Sequence, residues 1–105
     1  MEEKIMEISF NIIATAGDAK NLAMEAIRES KQGNVDAAKD LLQQSRQGLV
    51  NAHKFQTQLI TAEASGEKTA MSVILVHAQD HLMTSMTFQQ LAEEIVELYG
   101  KMDQK

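Results

Sequence analysis

The sequence predicts an all-α fold, an antiparallel bundle of three long helices in one domain spanning residues 1–105. Three observations carry this. Proline is absent and there are only five glycines, so few residues can break a helix. Aromatic residues make up 4% of the chain while apolar residues reach 44%. The core must then be built from Leu, Ile, Val, Met and Ala. Finally, apolar residues recur at three- and four-residue steps in three runs, which is the helical period.

The first helix is expected over about 4–32. Its stripe is Ile5, Ile8, Ile12, Ala16, Ala19, Ala23, Ala26 and Ile27, interrupted by Gly17-Asp18. A glycine there marks either a bend or a place where another helix comes close. Gly33 supplies a left-handed C-terminal residue, Asn34 a candidate cap for the next helix, and Asp36 a first-turn acid at its positive end. The second helix is expected over about 35–64, with Ala38, Leu41, Leu42, Ser45, Leu49, Ala52, Gln56, Leu59 and Ile60 as its stripe. Ser65-Gly66 closes it. The third run is expected from about Thr69 to Tyr99, closing at Gly100. Roughly 30 residues per helix give about 45 Å of length. The short connections make neighbouring helices antiparallel.

Ten basic against fifteen acidic residues give a net charge of -5. No concentrated basic face appears, so nucleic acid is excluded as the main partner. Cysteine is absent, which removes disulfides, thiolate nucleophiles and Cys-based metal sites. Met1-Glu2-Glu3-Lys4 leads to no apolar core or cleavage site. No signal peptide is therefore expected, and the default location is the cytoplasm.

The informative segment is Thr69 to Ala92, TAMSVILVHAQDHLMTSMTFQQLA, in which Asp80 is the single formal charge across 24 residues. A bundle helix with one wet face should carry more. A membrane span is excluded by Asp80, His77, His81 and the glutamines at its centre. Burial against other protein explains the segment, and the simplest source is another copy of this chain. At 100° per residue, Ala70, Val73, His77, His81, Thr84, Phe88, Leu91 and Ile95 fall within about 40° of one line, with Asp80 about 60° to its side. This seam is polar only in its middle turns.

Three chemistries fit that polar middle. His77, Asp80 and His81 could supply three ligands to zinc, although the helical Glu of an H-E-x-x-H site is missing. If several copies brought Asp80 together at an axis, a shared hard cation such as magnesium would neutralise it. Alternatively, a histidine can accept a phosphoryl group as a phosphoramidate and pass it on. Such a carrier needs an accessible imidazole on a protein-docking surface rather than a deep pocket. His81, Gln79 and Thr84 are candidate hydrogen-bonding neighbours. The plain alternative is polar residues satisfying one another inside an interface. His53, alone beside Lys54, reads as an ordinary histidine.

The string LVHAQDHLMTSM, with AGDAKNLAMEAI, QGNVDAAKDLL and AHKFQTQLI before it, resembles the IIA component of the lactose/cellobiose (diacetylchitobiose-type) class of the bacterial sugar phosphotransferase system. The similarity covers almost the whole chain. It implies a homotrimer of three-helix protomers, a nine-helix assembly. The histidine matching His77 would take a phosphoryl group from the histidine phosphocarrier protein and give it to a cysteine of the cognate IIB protein. A β-linked disaccharide is then phosphorylated as it passes the IIC permease, an indirect partner. The resemblance also implies that Asp80 of each subunit lies near the three-fold axis and binds a divalent cation, with magnesium expected. His81 matches the family pattern in a supporting role. The N-terminal extension of some relatives is expected to be short or missing here. Two rivals remain: a metal-binding structural bundle, and a histidine phosphotransfer signalling domain. The latter usually has four helices and basic or glycine residues after its histidine, where this chain has Ala78-Gln79-Asp80.

Overall fold

The computed structural model describes residues 2–103. It contains α1 (Glu2–Lys31), α2 (Val35–Ala64) and α3 (Val73–Asp103), packed into a rod of 57 × 19 × 17 Å. The chain runs up, down and up, so α1 and α3 are parallel and α2 opposes both. α1 packs closely on both partners, whereas α2 and α3 meet each other more sparsely.

Both turns use the same device. Gly33 has φ 83° and Gly66 φ 94°, a conformation that a Cβ would strain. At the first, Asn34 N–H donates to Glu29 C=O at 2.9 Å and Gly33 N–H to Ser30 C=O at 3.1 Å. At the second, Glu67 N–H donates to Ala62 C=O at 3.1 Å and Gly66 N–H to Glu63 C=O at 3.0 Å. These are two Schellman motifs, which satisfy carbonyls that a helix end otherwise strands. Asn34 does stand at the N-cap position, but its side chain does not cap α2. Its Nδ2 donates instead to Glu29 Oε2 at 2.7 Å, a charge-assisted bond that turns the side chain back toward α1.

The third helix departs from its expected bounds at both ends. It begins at Val73 rather than Thr69, because Ser72 is the cap: Leu75 N–H donates to Ser72 Oγ at 3.2 Å, and Val76 N–H to Ser72 C=O at 3.0 Å. It also runs through Gly100 to Asp103. Gly100 does not take a positive φ, and Lys101 pairs with Glu97 at 3.5 Å across one turn. α1 is unbroken at Gly17, so that glycine marks a close approach and not a helix break.

The core comprises two clusters arranged end to end. One holds Ile8, Ile12, Ala16, Ala19, Leu49, Ala52, Leu59, Leu75, Ala78 and Leu82. The other is narrower and richer in alanine: Ala23, Ala26, Ile27, Ala38, Leu42, Ala92 and Val96. Small residues let α1 and α2 touch: a Cβ on Gly48 would lie 3.1 Å from that of Ala19, and Ser45 Oγ donates to Ala19 C=O at 2.6 Å. The expected stripes of α1 and α2 are the buried ones, except that Ile5, Leu41 and Gln56 are half-buried and Ile60 is exposed. On α3 the core face is Leu75, Ala78, Leu82, Ser85, Gln89, Ala92 and Val96. The seam through His77 and His81 therefore lies off the core.

Among the described residues no helix is long and apolar enough to cross a membrane.

Candidate functional site

α3 carries two kinds of surface beyond its core face. The first lies diametrically opposite the core at 100° per residue: Val73, Val76, Asp80, Thr87, Leu91, Glu94 and Leu98. Here Val73 is 88% exposed, Leu91 57% and Leu98 58%. An apolar row of that length pointing at solvent is unusual for a helix that already buries its other side. It accounts for the missing charge between Thr69 and Ala92. Asp80 is exposed in the middle of this row, and its carboxylate takes part in no hydrogen bond or ion pair among the described residues. The second surface is the edge toward α1, where the two histidines sit.

His77 is the fifth residue of α3 and is exposed; His81, one turn on, is half-buried. Their rings stack with centroids 5.8 Å apart and planes 12° from parallel, as the i, i+4 spacing allows. His77 borders a shallow depression formed with Met71, Ser72, Val73, Val76 and Asp80. This is a surface for docking, not a pocket for a small substrate. The first turn of α3 holds no acidic residue. A helical side chain leans toward the N-terminus, so the His77 ring reaches back over the positive end of the helix, where negative charge is favoured.

The supporting candidates separate. His81 is in contact with His77. Thr84 turns its hydroxyl onto its own helix, donating to Asp80 C=O at 2.9 Å and His81 C=O at 3.2 Å. Gln79 is on the far side of α3, where its Oε1 accepts from Gln56 Nε2 at 2.6 Å. The structure thus gives Gln79 a role in joining α3 to α2 and does not bring it to His77. Helical periodicity explains why: positions 77 and 79 are about 160° apart once 200° is taken the short way round. His53 is exposed on α2, away from the other two.

Two neighbours were not evident from the site motif. Gln56 falls on the apolar stripe of α2, and its pairing with Gln79 has no local sequence signal. Gly17 faces His81 so closely that a Cβ placed on it would be 3.2 Å from His81 Nε2. A glycine inside an otherwise unbroken helical run was the available clue. Among the described residues, no group of three His, Cys, Asp or Glu side chains could hold a metal ion. The three-ligand zinc site of His77, Asp80 and His81 is therefore not assembled within one chain. The three-helix architecture also differs from the four helices usual in the signalling alternative.

Known proteins agree with this arrangement along nearly the full length. Residues 7–100 match the family model described as PTS system, Lactose/Cellobiose specific IIA subunit. The lichenan-specific phosphotransferase enzyme IIA component of Bacillus subtilis is 46% identical over 105 residues, covering 100% of this chain and 96% of that protein. The N,N'-diacetylchitobiose-specific EIIA component of Escherichia coli K12 is 44% identical, covering 95% of this chain and 86% of its own. Among solved structures, the cellobiose-specific enzyme IIA from Bacillus anthracis superimposes with a TM-score of 0.92 at 44% identity, over 94% of this chain and 91% of that one. The IIA(chitobiose)–HPr complex of the Escherichia coli phosphotransferase system gives 0.83 at 42% identity, over 94% and 96%. With identity at this level across the whole bundle, the chain belongs to the lactose/cellobiose-specific IIA subunits of the phosphotransferase system.

Proposed function

We propose that His77 is the residue through which this phosphotransferase component carries its phosphoryl group. As a member of its family the protein is a phosphocarrier in sugar uptake, relaying phosphoryl groups through a histidine from the histidine phosphocarrier protein toward IIB. The single observation supporting His77 is its exposure at the open edge of α3, backed by a stacked second imidazole. In the transfer, an unprotonated His77 nitrogen attacks phosphorus, a new P–N bond forms, and the P–N bond to the donor's histidine breaks. The donor imidazole leaves with the electron pair and takes up a proton. Onward transfer to the IIB cysteine reverses these roles at His77, forming a P–S bond. His81 limits the rotation of the acceptor ring, and the positive end of α3 favours the arriving negative charge. Met71, 80% exposed beside the depression and outside the outer row, suits transient docking of another protein.

The outer row of α3 supports self-association as a trimer. In a three-fold assembly a residue on the axis meets its own copies, so one helix per chain suffices to bury that row. Asp80 would then bring three carboxylates together. One exposed carboxylate per chain cannot hold a hard ion, whereas three converging ones with water fit magnesium. Bound there, a divalent cation would offset the mutual repulsion of the carboxylates. The cytoplasm is the compartment this reading requires, because each partner in the relay presents its phosphate there. The transported sugar is a β-linked disaccharide, in keeping with the lichenan-, diacetylchitobiose- and lactose-specific relatives. No carbohydrate need touch this chain.

The test is incubation with phosphoenolpyruvate, the first kinase of the system and the histidine phosphocarrier protein. Acid-labile phosphate appears on the wild type and is lost in His77→Gln. Labelling of His77→Gln at the wild-type level refutes the assignment.

A further inference from the structure

We propose that Gly17, on a different helix from the acceptor, is a positioning residue for phosphoryl transfer. The inference rests on the reading of His77 as acceptor and adds the element that seats its neighbour. The observation is steric. α1 passes α3 at Gly17, where a Cβ would come within 3.2 Å of His81 Nε2. That separation is tighter than carbon–nitrogen contact normally permits. The imidazole of His81 therefore occupies space that exists only because residue 17 has no side chain. The same imidazole stacks on the ring of His77, 5.8 Å away between centroids and 12° from parallel. His81 therefore adjoins α1 at Gly17 through its Nε2 edge and the ring of His77 through its face. A displacement of His81 at that edge is passed to His77, because the two rings are stacked.

Glycine is otherwise hard to account for here. α1 is continuous through residue 17, and Gly17 does not take a positive φ. Glycine inside a helix costs about 0.5–1 kcal/mol relative to alanine. By conformational criteria alone alanine would be the better residue, and the room given to His81 is what alanine would remove. Gly48 provides the contrast. Its missing Cβ faces Ala19 rather than the site, so it serves helix packing alone.

Gly17→Ala moves His81 by a few tenths of an ångström. Misplacement of about 1 Å can cost about a hundredfold in rate, so a shift of about 0.3 Å corresponds to about fourfold if the loss is exponential in displacement. Rapid-quench measurement of transfer from the phosphorylated histidine phosphocarrier protein reads this directly. It is run on four chains: wild type, Gly17→Ala, His81→Ala and the double variant. We expect a loss of about fourfold for Gly17→Ala in the wild-type background and no further loss once His81 is alanine. The imidazole NMR signals of both histidines should shift in Gly17→Ala. An equal loss in both backgrounds would show a general packing effect and overturn the proposal, as would an unchanged rate in Gly17→Ala. The underlying assignment fails separately, through labelling that persists in His77→Gln.

Discussion

Replacing Leu91 by glutamate probes the most consequential surface of the molecule, the outer row of α3. Leu91 is 57% exposed, so the change removes little from the folded protomer, and the helical content of the isolated chain should persist. Fully burying a leucine stabilises by about 1.5–3 kcal/mol. If the exposed 57% is what self-association covers, each copy contributes about 1.3 kcal/mol to assembly. Three copies then contribute about 4 kcal/mol, or about a thousandfold in the association constant at 1.4 kcal/mol per decade. Three glutamates near one axis add like-charge repulsion to that loss. Sedimentation equilibrium over a concentration series should find a trimer for the wild type and a monomer for Leu91→Glu. Leu91→Met conserves apolar volume, which such sites tolerate well, and should retain the trimer. A Leu91→Glu protein that sediments like the wild type would refute the reasoning, because the row would then not be the buried surface.

Two further outcomes concern the same helix. Magnesium should tighten assembly of the wild type and leave Asp80→Asn unaffected, while in chelator Asp80→Asn should associate more strongly because the like charges are gone; sedimentation with and without magnesium checks both, and a wild type indifferent to the metal contradicts an axial site. Ser72→Ala removes the side-chain acceptor for Leu75 N–H and should lower stability by about 1 kcal/mol in denaturant titration, with hydrogen exchange accelerated in the first turn of α3.

Much of the fold was legible because its signals are local. Helical period, Gly33 and Gly66 are written within a few residues of where they act, and the glycines do take the left-handed conformation that ends α1 and α2. The start of α3 was less legible because Thr69 and Ser72 are equally able to cap, and only the hydrogen bond to Leu75 distinguishes them. Its end was misplaced because glycine terminates a helix only when its φ turns positive, and Gly100 keeps a helical backbone. At the site, His77 and His81 could be put together from their four-residue spacing alone. Where Gln79 sits within one chain was not legible from residue type; its angular position and its bond to Gln56 place it toward α2. The contribution of Gly17 was the least legible, since it depends on how α1 passes α3 and not on either sequence alone.

The division of the core into two clusters bears on how the protein breathes. The half of the rod with Ile8, Ile12, Leu49, Leu75 and Leu82 lies beneath the histidines, and the alanine-rich half with Ala26, Ala38 and Val96 lies at the other end. Apolar burial per residue is smaller where alanine dominates, so partial opening is cheaper there. The helices can fray from the distal turn between α1 and α2 inward while the histidine end stays intact. Loss of order would then reach the histidine end last, and the carrier would remain loaded through fluctuations that open the distal turn to solvent exchange.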